Sequence, residues 1–318
     1  MRILVTGGAG FIGSNLIARL LKDNHEVIAC DNLYLGREEF LTPFSSNRQF
    51  QFLKEDLLDL DAVLKATSCC DLVFHLAANS DISLGREKTD LDLQLGTLTT
   101  YNVLEAMRIN KVPHLIFAST SAIYGEATVL PTPESYGPLQ PISLYGASKL
   151  AAEGFITAFC HNYGIQAWMF RFGNVIGFNA THGVFYDFIH RLKAHGSELR
   201  ILGDGAQAKP YIHVGDLIDG MLFGYAHAKS DVNVFNLATE GNTSVRHIAD
   251  AIIQAMNLHD VHYDFTGTKR GWIGDVPIVS LDTRLMRELG WKPHLSSDGA
   301  VSKAAEELVR QFGSEASA

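Results

Sequence analysis

An α/β fold, a parallel sheet covered by helices on both faces, is predicted by three features of this 318-residue chain. Short, continuously apolar runs recur, such as Arg2-Ile-Leu-Val-Thr6 and Leu72-Val-Phe-His75, with no polar alternation. Longer stretches with apolar residues at helical spacing lie between them, and a glycine-rich turn joins the first run to the first helix. Strands buried on both faces lose alternation because neither face meets water, and parallel neighbours need crossover helices.

The elements follow in order. Arg2 to Thr6 reads as a buried strand, and Phe11 to Leu21 as an apolar-periodic helix. Further strands are predicted at Glu26 to Cys30, Gln49 to Leu53, Leu72 to His75, His114 to Ala118 and Gln166 to Phe170. Helices are predicted at Leu93 to Arg108 and Tyr145 to Asn162. After about Gly177 the pattern changes to longer irregular stretches, around Gly203 to Pro210 and Gly267 to Pro277. The division expected is residues 1–175 as a nucleotide-binding domain and 176–318 as a smaller C-terminal substrate-binding region. A strand near residues 233–238 would complete the first domain's sheet. The Ser/Ala tail from Gly313 is expected to fray.

Composition narrows the partners. Hydrophobic residues at 47% and charged residues at 19% are an ordinary globular balance, with length enough for a sizeable core. A net charge of -9 argues against nucleic acid, which needs a basic surface. No apolar stretch approaches ~20 residues, so no membrane span is expected. Cys30, Cys69, Cys70 and Cys160 show no Cys-x-x-Cys spacing, which fits free thiols in a reducing cytoplasm. No metal site is expected.

Two constellations carry chemistry. Gly7, Gly10 and Gly13 fall between the first strand and first helix, where side-chain-free backbone and free helix N–H groups cradle a pyrophosphate. Asp31 ends the second strand and is placed to accept both ribose hydroxyls, which favours NAD over NADP. Tyr145 and Lys149 stand one helical turn apart. A phenol with an ordinary pKa of roughly 10 is a poor base, but a neighbouring cation favours the phenolate.

Thr6-Gly-Gly-Ala-Gly-Phe-Ile-Gly-Ser14, Asp31-Asn32-Leu33, Asp56-Leu57, His75-Leu-Ala-Ala78 and Tyr145-x-x-x-Lys149 together resemble the extended short-chain dehydrogenase family, in its nucleotide-sugar epimerase and dehydratase branch, UDP-glucose 4-epimerase-like. The resemblance continues through Arg171-Phe-Gly-Asn174 and Gly203-Asp-Gly-Ala-Gln207 to Tyr211-Ile-His-Val214. It implies a Rossmann-type doubly wound sheet with NAD as cofactor. It places Phe11, Ile12, Asn32, Asp56, Leu57, Leu76, Ala77 and Ala78 along NAD together with the glycines, Asp31, Tyr145 and Lys149, and His75 as a packing residue.

In this family the tyrosine works with a hydroxyl on the preceding strand, which matches Thr120 in Ala118-Ser-Thr-Ser-Ala-Ile-Tyr-Gly125. Dehydratases carry Asp-Glu after that residue, and uronate decarboxylases a Glu at the second position. This chain has Ser121 and Ala122, so hydride removal and return is the chemistry that remains. Thr120, Tyr145 and Lys149 are the expected catalytic set, with Lys149 depressing the Tyr145 pKa. Ser121, Asn174, Val184, Phe185, Lys209 and Arg270 are expected to bind a UDP-sugar. Lys209 replaces an Arg that would grip the diphosphate, and strict register puts Trp272 rather than Arg270 at the second diphosphate position. Val279 is of a size to admit an N-acetyl group, and His182 could equally face a uronate carboxylate. The reaction expected is 4-epimerisation of UDP-glucose and UDP-galactose or of a UDP-glucuronate. The alternatives are an NAD-dependent dehydrogenase or ketoreductase, and a non-catalytic NAD-binding module. Helices 97–108 and 145–162 resemble those that form a four-helix bundle between two subunits, so a homodimer is expected.

Overall fold

The computed structural model describes residues 1–267 and 279–314. The chain begins β1 (Arg2–Thr6), α1 (Phe11–Lys22), β2 (Glu26–Cys30), β3 (Phe50–Leu53), α2 (Leu60–Thr67), β4 (Leu72–His75), α3 (Ile82–Glu87), α4 (Thr99–Asn110), β5 (His114–Thr120), α5 (Leu144–Tyr163) and β6 (Gln166–Phe172). It continues β7 (Asn174–Ile176), α6 (Val184–Ala194), β8 (Glu198–Ile201), β9 (Ala208–Lys209), β10 (Tyr211–His213), α7 (Val214–His227) and β11 (Val232–Leu237). The last elements are β12 (Thr243–Ser244), α8 (Val245–Ala255), β13 (His262–Phe265), α9 (Arg284–Leu289) and α10 (Ser297–Ser314).

Two compact units are formed. The first comprises 1–125, 134–172 and 221–236; the second comprises 126–133, 173–220 and 237–318. The chain therefore passes between them at 125/126, 133/134, 172/173, 220/221 and 236/237.

The first unit is built on a seven-stranded sheet of order β11-β6-β5-β4-β1-β2-β3. Pairing is parallel from β6 to β3. On one face, side chains of β1, β2, β4, β5 and β6 pack with α2, α4 and α5 in a single cluster that includes Leu4, Val73, Leu115, Leu104 and Ile156. The continuous apolar runs are thus explained: β4 and the interior of β5 are buried throughout.

The predicted helix over 93–108 is interrupted. Residues Leu93–Leu98 form a π-helical turn and regular α-helix begins at Thr99. A Cβ at Gly96 would stand 2.4 Å from Ser148 Oγ, so α5 approaches this segment closely at a bare glycine. Thr99 and Thr100 donate their hydroxyls back to Leu95 O and Gly96 O, satisfying the widened turn.

The second unit has only short pairings, β10 with β7, β12 with β9 and β13 with β8. Its helices α6, α8 and α10 supply the buried Ile189, Ile252 and Leu308. Within the stretch read as irregular, Ala208 and Lys209 pair with Ser244 and Thr243. The helix α10 reaches Ser314, into the stretch expected to fray.

Candidate active site

The strand order reverses between β1 and β4, which brings the loops following those two strands together at the carboxyl edge of the sheet. Gly7 has φ +69, and a Cβ there would stand 2.8 Å from Ala77 N. A Cβ at Gly13 would stand 2.2 Å from Gly7 O. No side chain fits at either position, so the loop presents bare backbone. The loops are tied by Thr6, whose Oγ1 accepts from Ala77 N–H at 3.4 Å and bonds His75 Nδ1 at 2.7 Å. Thr100 Oγ1 donates to Gly96 O, so at 2.9 Å it accepts from His75 Nε2–H. His75 is consequently the neutral Nε2–H tautomer, and burial followed by the Lys149 charge lowers its pKa to about 3. It is a packing residue, as expected.

The cradle fits a dinucleotide. Helix α1 starts at Phe11 and Ile12 behind Gly10, with no side-chain cap and no acidic residue in its first turn. Its first N–H groups keep their affinity for an anion. At the end of β2, Asp31 accepts Ala9 N–H at 3.0 Å and Leu33 N–H at 2.8 Å. Burial raises the Asp31 pKa, while those two backbone bonds lower it. Nearby, Asn32 Nδ2 donates to Asp56 Oδ2 at 3.3 Å, and Leu57 is buried in the core. Leu76, Ala77 and Ala78 follow β4 and are each half-buried.

Helix α5 begins where Ser143 accepts Gly146 N–H at 3.0 Å, which fixes Tyr145 in the first turn. Thr120, the last residue of β5, accepts Ala122 N–H at 3.1 Å and starts the 3₁₀ turn Ser121–Tyr124. A Cβ at Gly146 would lie 2.7 Å from Ala122 O, so this turn rests on the start of α5. The Thr120 hydroxyl also bonds that of Tyr145. Thr120, Ser121, Tyr145 and Lys149 are all brought to this corner of the first unit.

One expectation is corrected. The Tyr145 phenol is pushed up to about 12, chiefly by burial; the Thr120 hydrogen bond lowers it, and the charge of Asp92 raises it further. No depression by Lys149 is seen. Lys149 is 1% exposed, donates from Nζ to Ala118 O at 2.7 Å and lies 4.5 Å from the centre of the Phe117 ring. Burial lowers its own pKa to about 7, with Glu153 and Asp92 acting in the opposite direction. A lysine that weakly holds its proton is a weak source of positive charge.

Other residues at this corner were not singled out from the sequence. Asp92 is buried; its Oδ1 accepts from Asn79 Nδ2 at 3.1 Å, and its Oδ2 has no hydrogen-bond partner. Glu153, four residues beyond Lys149, forms a buried ion pair with Arg171 at 2.7 Å. The same i,i+4 spacing that links Tyr145 to Lys149 would have picked out Glu153.

The remaining candidates belong to the second unit. Asn174 Nδ2 donates to Pro210 O at 3.3 Å, and Lys209 lies in β9. Val184 opens α6 and is half-buried, whereas Phe185 and Phe188 are buried, Phe185 edge-on to Tyr211. His182 is exposed, bonds Thr181 Oγ1 through Nδ1, and Val279 is half-buried. Arg270 and Trp272 lie outside the described residues.

Comparison with known proteins agrees with this geometry. The UDP-glucose 4-epimerase of Mycolicibacterium smegmatis is 32% identical over 313 residues, covering 96% of this chain and 98% of that protein. The structure of UDP-glucose 4-epimerase with UDP-glucose from Thermotoga maritima superposes with a TM-score of 0.88 at 31% identity, covering 98% of this chain and all of that one. The Thermus thermophilus UDP-glucose 4-epimerase in complex with NAD gives a TM-score of 0.84 at 28% identity, covering 96% and 98%. The model of the NAD dependent epimerase/dehydratase family matches residues 3–238, from β1 to the residue after β11. With its bare glycine cradle after β1, Asp31 at the end of β2 and Tyr145 and Lys149 on one helix, the chain belongs to the NAD dependent epimerase/dehydratase family.

Proposed function

We propose that this protein is an NAD-dependent 4-epimerase of UDP-hexoses, interconverting UDP-glucose and UDP-galactose. The observation that carries the reading is the hydroxyl pair Thr120 and Tyr145 standing beside Lys149, with Ser121 and Ala122 supplying no carboxylate next to them. The relatives named above, UDP-glucose 4-epimerases over nearly their whole length, support it.

When bound, NAD would supply a hydride acceptor that is restored at the end of each turnover, and a positively charged ring. Tyr145 takes the proton from the sugar O4 as the O4–H bond breaks. Thr120 donates its hydroxyl to the phenolate and steadies it, as its hydrogen bond already does in opposing the upward push of burial on the phenol pKa. The sugar O4 becomes a carbonyl oxygen, and Tyr145 returns the proton once the sugar has turned over. Lys149, whose Nζ donates to Ala118 O, would hold the cofactor ribose. Recognition of the diphosphate is assigned to Asn174 and Lys209 on resemblance alone, Lys209 acting as a point charge rather than a fork.

The protein acts as a cytoplasmic homodimer. Supporting the dimer, α4 and α5 leave Tyr101 and Phe155 exposed and in edge-to-face contact at 6.2 Å, with Leu98 and Tyr163 also exposed. Among the described residues no helix is long and apolar enough to cross a membrane.

The decisive experiment incubates enzyme and NAD with UDP-glucose and resolves products by NMR. UDP-galactose with no net NADH is expected. Stoichiometric NADH accumulation would instead establish the dehydrogenase reading. In the same assay, Tyr145→Phe should lose at least about 10²-fold in kcat; near wild-type turnover by that variant would overturn the mechanism.

A further inference from the structure

Behind Thr120 and Lys149 lies a buried polar chain that the reaction above does not use. Ser119 Oγ donates to Glu153 Oε1 at 2.5 Å. Arg171 grips the same carboxylate with two bonds, Nε to Oε1 at 3.0 Å and Nη2 to Oε2 at 2.7 Å. Its Nη1 donates to Tyr124 OH and to Glu134 O, both at 2.9 Å. Tyr124 OH donates in turn to Asn236 Oδ1 at 2.8 Å, and Asn236 N–H to Glu134 Oε1 at 2.8 Å. Tyr124, Glu134, Arg171 and Asn236 each stand within one residue of a point where the chain passes between the two units. The network therefore pins the ends of segments from which the chain departs.

It is expensive to maintain. Taking a carboxylate and a guanidinium out of water costs several kcal/mol per ion, and apolar residues of similar size are often as stable. A charge kept at that cost beside a reactive lysine has a second use. The Glu153 carboxylate touches the residue before Thr120, and through Arg171 it holds Tyr124, the last residue of the turn that carries Ser121.

We propose that Glu153 is a positioning residue which holds Lys149 in its ammonium form and, through Ser119, Arg171 and Tyr124, fixes the turn that carries Thr120 and Ser121. The inference rests on the epimerase reading and deepens it. The groups that act on Lys149 are Glu153 on its own helix, Asp92 before the π-helical turn, His75 on β4 and the Ala118 carbonyl and Phe117 ring on β5. Tyr145 shares its helix. Of these, Glu153 and Asp92 are negative and favour the ammonium, and His75 is held neutral.

The test is the pH profile of kcat for UDP-glucose epimerisation. Since Lys149 loses its proton as pH rises, removing a favourable negative charge lowers its pKa and brings the descending limb to lower pH. Glu153→Gln should shift that limb down by about one pH unit, a tenfold loss of kcat on its alkaline side with much less loss below it. This variant leaves Arg171 buried without its partner, an uncompensated charge that works against folding. The double variant Glu153→Gln/Arg171→Gln removes both charges; loss of the Arg171 cation offsets part of the effect, so its limb should move down by less than in Glu153→Gln and still lie below wild type. Tyr124→Phe cuts the chain without changing a charge and should lower kcat by a similar factor at every pH. A descending limb that coincides with wild type in the folded double variant overturns the proposal. If Tyr145→Phe is inactive while the limb stays in place, only this inference fails; if Tyr145→Phe is active, the epimerase mechanism fails.

Discussion

At the scale of single residues, the Tyr145 phenol with a pKa of about 12 is the informative quantity. With Lys149 withdrawn onto Ala118 O, the burden of favouring the phenolate falls on Thr120 and on the charge brought by the cofactor. Thr120→Val should therefore reduce kcat by about 10- to 100-fold with a smaller change in KM, measured by steady-state kinetics. The variant also loses the cap on Ala122 N–H, worth about 1 kcal/mol, so its thermal midpoint should fall by a few degrees. Lys149 makes the opposite trade. Its folded-state pKa, about 7 against an ordinary 10.5, means that the unfolded chain binds the proton more tightly. Its burial therefore costs stability below pH ~7, and the cost is relieved as pH rises toward ~10. Lys149→Met should be inactive yet more heat-stable than wild type at pH 6, with the gain shrinking by pH 9, as scanning calorimetry would show. The glycines, Asp31, Tyr145 and Lys149 were legible in the sequence because each meets a steric or spacing requirement. Asp92 and the Arg171 and Ser119 partners of Glu153 were not, because they depend on which side chains of other strands and helices face them.

At the scale of elements, the strands β1, β2 and β4 were read to the residue, because uninterrupted apolar runs have sharp edges. The helix over 93–108 was legible as helix but not as a π-helical turn leading into an α-helix. That change follows from the close approach of Ser148 to Gly96, which only the packed structure contains. Helices α4 and α5 also carry the exposed aromatics assigned to the dimer. Tyr101→Glu with Phe155→Glu places like charges where two copies would meet, and light scattering should report half the mass found for wild type. A mass unchanged by the substitutions would remove this face as the interface.

At the scale of the whole molecule, the sheet of the first unit is assembled from three separate stretches of chain, the last being 221–236. Sequence periodicity suggested a strand near 233–238 but could not say which edge it joins; β11 lies beside β6. Around that edge Trp168 Nε1 donates to Ala228 O at 3.1 Å, and its ring meets Tyr225 at 4.8 Å. A fragment of residues 1–175 would leave the β11-facing edge of β6 unpaired and Trp168 without these partners. Such an apolar edge invites association, so the fragment should aggregate or melt well below the full chain, whereas residues 1–238 should be the more soluble of the two by sedimentation. The same placement of β11 sets a timetable for synthesis. Roughly 60 residues separate the end of β6 from β11. At about 5–20 residues per second, that apolar edge emerging from a ribosome waits on the order of 3–12 s for its neighbour. During that interval the nascent chain is a natural client for a chaperone that recognises exposed strands, and slow codons between residues 173 and 231 would lengthen its exposure.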